Sequence, residues 1–543
     1  MEKSYQINFY LAVILMISVL SSCSQDEPRI EPPEIWGQLE QGPYQIGFRT
    51  LFNYDASRPP IPHSDWDGRL VSTSETKGRQ MQINIWYPAK VTSKDKKLKF
   101  GHYVNLFGRQ TEFADLDETK IAFANQELIN KINSLGGNGR FTEASLDSLK
   151  VLETHAFLES KAILGEFPVV IFPNGTSPAF QSIMCEFLAS YGFVVGAVGL
   201  KGMHAYTEEI SSKGIEMAVV DLNTTIQILL TLPQVNRNKI GIIGNAITSS
   251  QAVAYQNRNS NVDCIISLDG GLISAFEQRL LQETPFYSDQ SVNVPILAIY
   301  APHPAIDPLY IDNLRYSDRY FLHFPQMSEF HFLNFGQFDR FIPNIIGEHI
   351  GEVQKGHELA CLYSLKFLKA FLTDDLESKM FLEKRVPETY NEHIDTAFIK
   401  KALPKTPEIT SLKNAYYDIG FQYIDSIYWV YKKTDPTPFS ETFYADMKDW
   451  LAWKKDPEYN ARYELYKLAY DSYPNSANVN YYLGYFALET GNLEDAIFHL
   501  GKALKIIEQD NDETISVERK KRLNESLLEL LTEARNNRAS RLD

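Results

Sequence analysis

Three positions of this chain stand in the order that acyl-transfer chemistry uses, and the first of them holds a residue that cannot perform it. The phrase Gly244-Asn245-Ala246-Ile247-Thr248 has the form of a G-x-S-x-G turn. Such a turn is a sharp strand-to-helix elbow that lifts a serine hydroxyl above a sheet and aims the next backbone N–H at an oxyanion. Here alanine stands in the serine's place. Asp269 follows the apolar run Cys264 to Leu268, in Ser267-Leu268-Asp269-Gly270-Gly271, and His331 lies in Ser328-Glu329-Phe330-His331, after the run ending at Phe324. In a triad of this order the acid orients the imidazole, and the imidazole takes the nucleophile's proton. An alanine methyl has no lone pair with which to attack an ester, and deleting a triad serine costs about six orders of magnitude in turnover. Thr248, Ser249 and Ser250 are the nearest hydroxyls, but they are expected in the helix after the turn and pointing elsewhere.

Other candidates carry less. His303, in Pro-His-Pro, and Asp307 lack further ligands at a defined spacing and read as a surface loop rather than a metal site. His204, after Gly202, falls at a strand end, where it either meets a ligand or faces solvent. Cys185, Cys264 and Cys361 each sit in an apolar segment and read as buried thiols. No metal or organic cofactor is expected.

The elements that must position these residues are legible in the periodicity. Tyr44 to Thr50 and Met81 to Tyr87 alternate as antiparallel strands do, with Pro88 closing the second. Residues 101–160 change period, and Glu118 to Leu135 and Glu143 to Leu158 predict an inserted helical segment. From Pro168 the chain alternates continuous apolar strands with amphipathic helices: strands at Pro168 to Phe172, Phe193 to Val198, Lys239 to Gly244, Val262 to Leu268, Val294 to Tyr300 and Arg319 to Phe324, and helices at Ala179 to Tyr191, Ile215 to Leu232 and Glu358 to Leu372. This is the signature of an α/β fold, a mostly parallel, doubly wound sheet covered on both faces, whose sites lie at the strand carboxyl ends. The domain is expected over residues 43–375, followed by a proline-containing junction at 376–440 and a helical domain at 441–543. Within the latter, Leu483, Gly484, Ala487, Gly491, Ala496, Leu500 and Ala503 resemble the tetratricopeptide repeat of about 34 residues. Tyr466, Ala469 and Pro474 fit a degenerate preceding unit, and Val517 to Arg535 a terminal helix.

Four phrases carry a more specific resemblance. Gly42-Pro43-Tyr44 with Gly47, Arg49 and Thr50, then Ile85-Trp86-Tyr87-Pro88, Phe167 to Gly175, and Ser267-Leu268-Asp269 are similar to the platelet-activating-factor acetylhydrolase and dienelactone-hydrolase-like branch of the α/β-hydrolases. The resemblance implies an α/β-hydrolase fold over residues 43 to about 372, Asp269 as the orienting acid and His331 as the general base. It also implies oxyanion donors at the N–H of Ile247 and near Gly175 or Thr176. The reaction it implies is hydrolysis of a small acyl ester through an acyl-enzyme. The departures fall on the catalytic apparatus: Ala246 replaces serine, Thr248 replaces the elbow glycine, and Asn174 stands where the family usually has histidine.

Composition bounds the partners. A chain of 543 residues with a formal charge of −16 lacks the basic footprint of a nucleic-acid binder. Lys3, the apolar run Phe9 to Leu20 and the small residues after it read as a processing signal over residues 1–22. Leu20-Ser21-Ser22-Cys23 resembles a bacterial lipobox, which implies acylation of Cys23 as a membrane anchor. Residues 23–42 then begin with a polar, acidic tether, and Ser24, Asp26 and Glu27 resemble the export tag of surface lipoproteins in the Bacteroidetes group. The expectation is a lipoprotein of the bacterial outer membrane, catalytically impaired at Ala246. Its role would be to bind a small ester, lipid or glycan-like ligand, or a protein partner through the helical domain. Two alternatives stand beside it: an active ester hydrolase in which Asp269 and His331 activate water or an unusual hydroxyl, and a scaffold acting through its helical tail.

Overall fold

The computed structural model describes residues 34–60, 63–64, 70–71, 78–109, 113, 115–173, 177–200, 209–349, 351–453, 459–509 and 517–542. It comprises two compact units, residues 1–314 with 318–400, and residues 315–317 with 401–543.

The first unit is built on a 12-stranded sheet. Its principal strands are β1 (Gln45–Asp55), β2 (Arg79–Lys90), β3 (Lys97–Lys99), β4 (Glu153–Leu158), β5 (Phe167–Ile171), β6 (Val194–Val198), β7 (Val235–Asn245), β8 (Cys264–Leu268), β9 (Ile296–Tyr300), β10 (Arg319–His323) and β11 (Thr396–Lys400). They lie in the order β11-β10-β9-β8-β7-β5-β6-β2-β1-β4-β3, with the short strand Lys161–Ala162 beside β2. The six central strands from β10 to β6 are mutually parallel, because each is buried on both faces and joined to the next by a crossover rather than a hairpin. From β5 the chain moves outward to β6 and then returns past β5 to β7, so the winding reverses at the β5/β7 boundary. That reversal opens a crevice at the strand carboxyl ends.

One face of the sheet is covered by helices α3 (Ser182–Ser190) and α7 (Val353–Leu372), and the other by α4 (Ser212–Leu229), α5 (Ile247–Arg258) and α6 (Ala275–Gln282), once α1 (Glu118–Ile132) and α2 (Glu143–Lys150) have been set aside as the insertion. Strand β7 feeds both layers: Ile243 packs on the first side, Ile240 and Ile242 on the second. The α/β class read from the sequence, a largely parallel sheet followed by an all-helical region, is the observed one.

Three local expectations are corrected. Pro88 does not close β2, which continues to Lys90; proline lacks only the donor, and its carbonyl still accepts from Ile163 N–H at 3.0 Å. The helix expected over Glu143 to Leu158 stops at Lys150, and Glu153–Leu158 becomes β4, parallel to β1 and antiparallel to β3. The strand wins because Thr154 and Ala156, two residues apart, both point inward. The first unit also runs beyond Asp375: after α8 (Leu376–Glu383), β11 pairs antiparallel with β10 and brings the unit to Lys400.

The second unit is helical: α9 (Ile409–Ile419), α10 (Phe421–Lys432), α11 (Glu441–Trp453), α12 (Asn460–Ser472), α13 (Ala477–Glu489), α14 (Leu493–Glu508) and α15 (Val517–Leu542). Gly484 lets α13 and α14 touch closely, since a Cβ there would lie 2.7 Å from Leu500 Cγ and 2.9 Å from its backbone nitrogen.

Candidate functional site

The elbow forms where β7 ends and α5 begins. Ala246 adopts φ 49° and ψ −130°, a backbone that a side-chain-bearing residue takes up only when its surroundings force it to. The surroundings do so from both sides. Ala246 N–H donates to the carbonyls of Leu268 (3.1 Å) and Asp269 (3.2 Å), and its own carbonyl accepts from Ser249 N–H at 2.9 Å. Asn245 Nδ2 adds a bond to Leu268 O at 3.0 Å. At Gly244, a Cβ would lie 2.4 Å from both Ser249 N and Cα, so strand and helix meet backbone to backbone.

Among the described residues that follow Ala246, none offers the cavity a free hydroxyl. Thr248 Oγ1 accepts from Asn245 N–H at 2.7 Å and donates to Asn245 O at 2.9 Å, which spends it on closing the turn. The hydroxyls of Ser249 and Ser250 are buried without a hydrogen-bond partner, and neither lines the cavity above the elbow.

Asp269 sits at the tip of β8 with φ 47°, followed by Gly270 and Gly271, also at positive φ. Its N–H donates to Ile299 O at 2.7 Å, and its Oδ1 accepts from Ala301 N–H at 3.0 Å. The carboxylate therefore clamps the end of β8 to the end of β9. Burial pushes its pKa up to about 6, against the pull of the Ala301 and Gly270 N–H groups and the His303 charge.

His331 is buried in the short helical turn Glu329–Phe332, which is fastened by a reciprocal cap: Ser328 Oγ receives the His331 N–H, and His331 Nδ1 receives the Ser328 N–H at 3.0 Å. A backbone N–H can only donate, so Nδ1 is an acceptor and the neutral ring carries its hydrogen on Nε2. That tautomer is the reverse of the one a general base for serine requires. Among the described residues Nε2 is buried without a hydrogen-bond partner. Desolvation first, then the neighbouring His349, holds the imidazole down at about 4, and the His349 ring centre lies 5.3 Å away. Among the described residues Asp269 and His331 share no hydrogen bond: one is taken by Ala301, the other by Ser328.

Above the elbow lies a cavity of about 290 Å³, lined by Asn245, Ala246, Ile247 and Thr248, by the apolar Phe180, Phe276, Phe330 and Leu333, and by Lys131, Glu277 and Glu329. Lys131 and Leu135 come from the insertion, so that segment does reach the site. Ile247 opens α5, where helix geometry leaves N–H groups without an intrahelical acceptor. The point that a Gly270 Cβ would occupy lies 3.6 Å from Glu277 Oε1 and 3.7 Å from Ala246 Cβ. Glu277 and Ala246 thus flank Gly270 and line the same cavity. Sequence reasoning missed Glu277, Glu329 and Lys131, none of which stands in a motif. Glu277, in the first turn of α6, and Glu329 are both half-buried, while Lys131 is exposed.

The remaining expected residues divide into three groups. His303 Nδ1 accepts from Ala305 N–H at 3.2 Å and Asp307 caps the turn at Leu309 N–H at 2.8 Å, both local bonds of an exposed loop. Cys23, Asn174, Gly175, Thr176, Gly202 and His204 lie outside the described residues, although Pro173, just before the expected oxyanion loop, lines the cavity. Cys185, Cys264 and Cys361 are buried free thiols.

No protein-family model and no curated protein sequence matches the chain. Among solved structures, a ferulic acid esterase from Streptomyces cinnamoneus is similar at 18% identity and a TM-score of 0.46, over 66% of this chain and 97% of that one.

Proposed function

We propose that this chain is a catalytically silent α/β-hydrolase-fold lipoprotein that binds a small ligand in the cavity above Ala246 instead of turning it over. The observation that carries the reading is the Ser328 N–H bond to His331 Nδ1, which leaves the imidazole in the wrong tautomer for a base, in a chain whose elbow carries alanine. The cavity supports a ligand with a compact apolar part: about 290 Å³ falls just below the usual range of small-molecule sites, and Phe180, Phe276 and Phe330 line it for an acyl or aromatic group. An ester or glycan-like ligand would present such a group and leave its bulk outside. Cys23 is the proposed acylated anchor to the bacterial outer membrane, and the helical unit the proposed place for a protein partner.

Hydrolysis of short-chain aryl esters by the detergent-solubilised full chain, beside Ala246→Ser and His331→Ala, tests the reading. All three are expected to stay at the buffer rate, Ala246→Ser included, because restoring the hydroxyl leaves Nε2–H a donor. The same esters are expected to raise the melting temperature of the unmodified chain. Turnover by the unmodified chain that disappears in His331→Ala would overturn the proposal, and so would the absence of any ester-induced stabilisation.

A further inference from the structure

A second, larger cavity of about 620 Å³ opens near the other end of the sheet, against β9, β10, β11, α7 and the end of α8. It shares no lining residue with the elbow cavity. Its volume falls within the range of small-molecule sites, about 300 to 1,000 Å³. The floor is apolar with two phenols: Leu297, Leu322 and Leu382 pack around Tyr320 and Tyr363, all of them buried in the unit's core. Burial pushes the Tyr363 phenol up to about 12, so it keeps its proton and can donate. The rim is charged and exposed, with Glu383, Lys384, Arg385 and Asp395.

The four rim charges are not equivalent. Asp395 Oδ1 is bonded to His323 Nδ1 at 2.6 Å. Neither Lys384 nor Arg385 has a carboxylate within ion-pair distance among the described residues, so two adjacent cations overhang an apolar floor. A guanidinium fork matches a carboxylate through two parallel hydrogen bonds. Glu383 and Asp395, on the same rim, oppose a doubly charged phosphate.

From this arrangement we infer a second binding site, for a small amphiphilic monocarboxylate whose apolar or aromatic body lies on Tyr320 and Tyr363 and whose carboxylate meets Arg385 and Lys384. It does not rest on the reading of the elbow.

Calorimetric titration of the full chain with 4-phenylbutyrate, its neutral amide and phenyl phosphate tests it, alongside the doubly substituted Lys384→Gln/Arg385→Gln chain. Both substituted side chains are exposed, so the fold is retained. The carboxylate is expected to bind saturably, about tenfold or more tighter than the amide and tighter than the phosphate, and the double substitution is expected to abolish the preference over the amide. Three results would each overturn the inference: no saturable binding of the carboxylate up to about 10 mM, equal binding of the amide, or an acid preference that survives the double substitution. Tighter binding of phenyl phosphate would overturn the monocarboxylate assignment.

Discussion

At the scale of single residues, Ala246 holds a strained backbone without the side chain that would use it. A non-glycine residue at φ 49° and ψ −130° costs on the order of 1–3 kcal/mol, sustained by the bonds to Leu268, Asp269 and Ser249. Ala246→Gly is therefore expected to raise stability by about 1 kcal/mol in denaturant unfolding, since relief of strain exceeds the added entropy of the unfolded chain. Two positions earlier the sign reverses. Gly244→Ala would press a methyl to 2.4 Å from backbone atoms of Ser249 and is expected to cost about 3 kcal/mol or prevent folding. His331 offers a direct check on the site. Its ¹⁵N spectrum is expected to report the Nε2–H tautomer at neutral pH, with protonation delayed to about 4. Because that folded value lies below the ordinary 6.5, the stability contributed by the neutral ring is complete above pH 6.5 and is lost as pH falls toward 4. An Nδ1–H tautomer would restore the base and remove the ground for calling the site silent.

Between elements, the least expected joint is Glu186. This fully buried carboxylate on α3 accepts from Trp36 Nε1 (2.9 Å), Tyr103 Oη (2.6 Å) and His155 N–H (2.9 Å), so it ties the N-terminal segment, the short helix Phe100–Asn105 and β4 to the sheet's helical cover. Burial raises its pKa to about 7 despite those donors. The folded value exceeds the unfolded one, so its contribution is complete below about pH 4.5 and fades as pH rises through 7. Glu186→Gln removes that dependence. The stability of the unmodified chain relative to the variant is expected to fall by on the order of 3 kcal/mol between pH 4.5 and 8, read from denaturant unfolding at each pH. In the helical unit, Gly484→Ala forces a methyl against Leu500 and is expected to cost about 2 kcal/mol in the thermal transition of that unit; an unchanged transition would mean that α13 and α14 do not pack this closely.

For the molecule as a whole, the charge of −16 opposes contact with anionic surfaces, and among the described residues no helix is long and apolar enough to cross a membrane. Attachment then depends on the proposed lipid. Cys23→Ala is expected to move the protein from the membrane fraction to the soluble fraction, and retention in the membrane would refute the anchor. How much of this could be read in advance follows from how each feature is encoded. The doubly wound sheet, the elbow at Ala246 and the strand-end position of Asp269 were legible, because burial on both faces writes a continuous apolar run for each strand and a turn follows each run. Strands β4 and β11 were not, since each is only partly buried, β4 next to the last strand and β11 on the opposite edge, and each pairs with a strand far away in sequence. The sequence by itself determined that a strand-to-helix turn with alanine at its apex stands at Ala246. Only the tertiary structure decided that His331 turns Nδ1 to Ser328, that Asp269 is spent on Ala301, and that Glu277 lines the cavity with Ala246, because the direction of a ring nitrogen or a carboxylate is set by the groups packed around it and leaves no period in the chain.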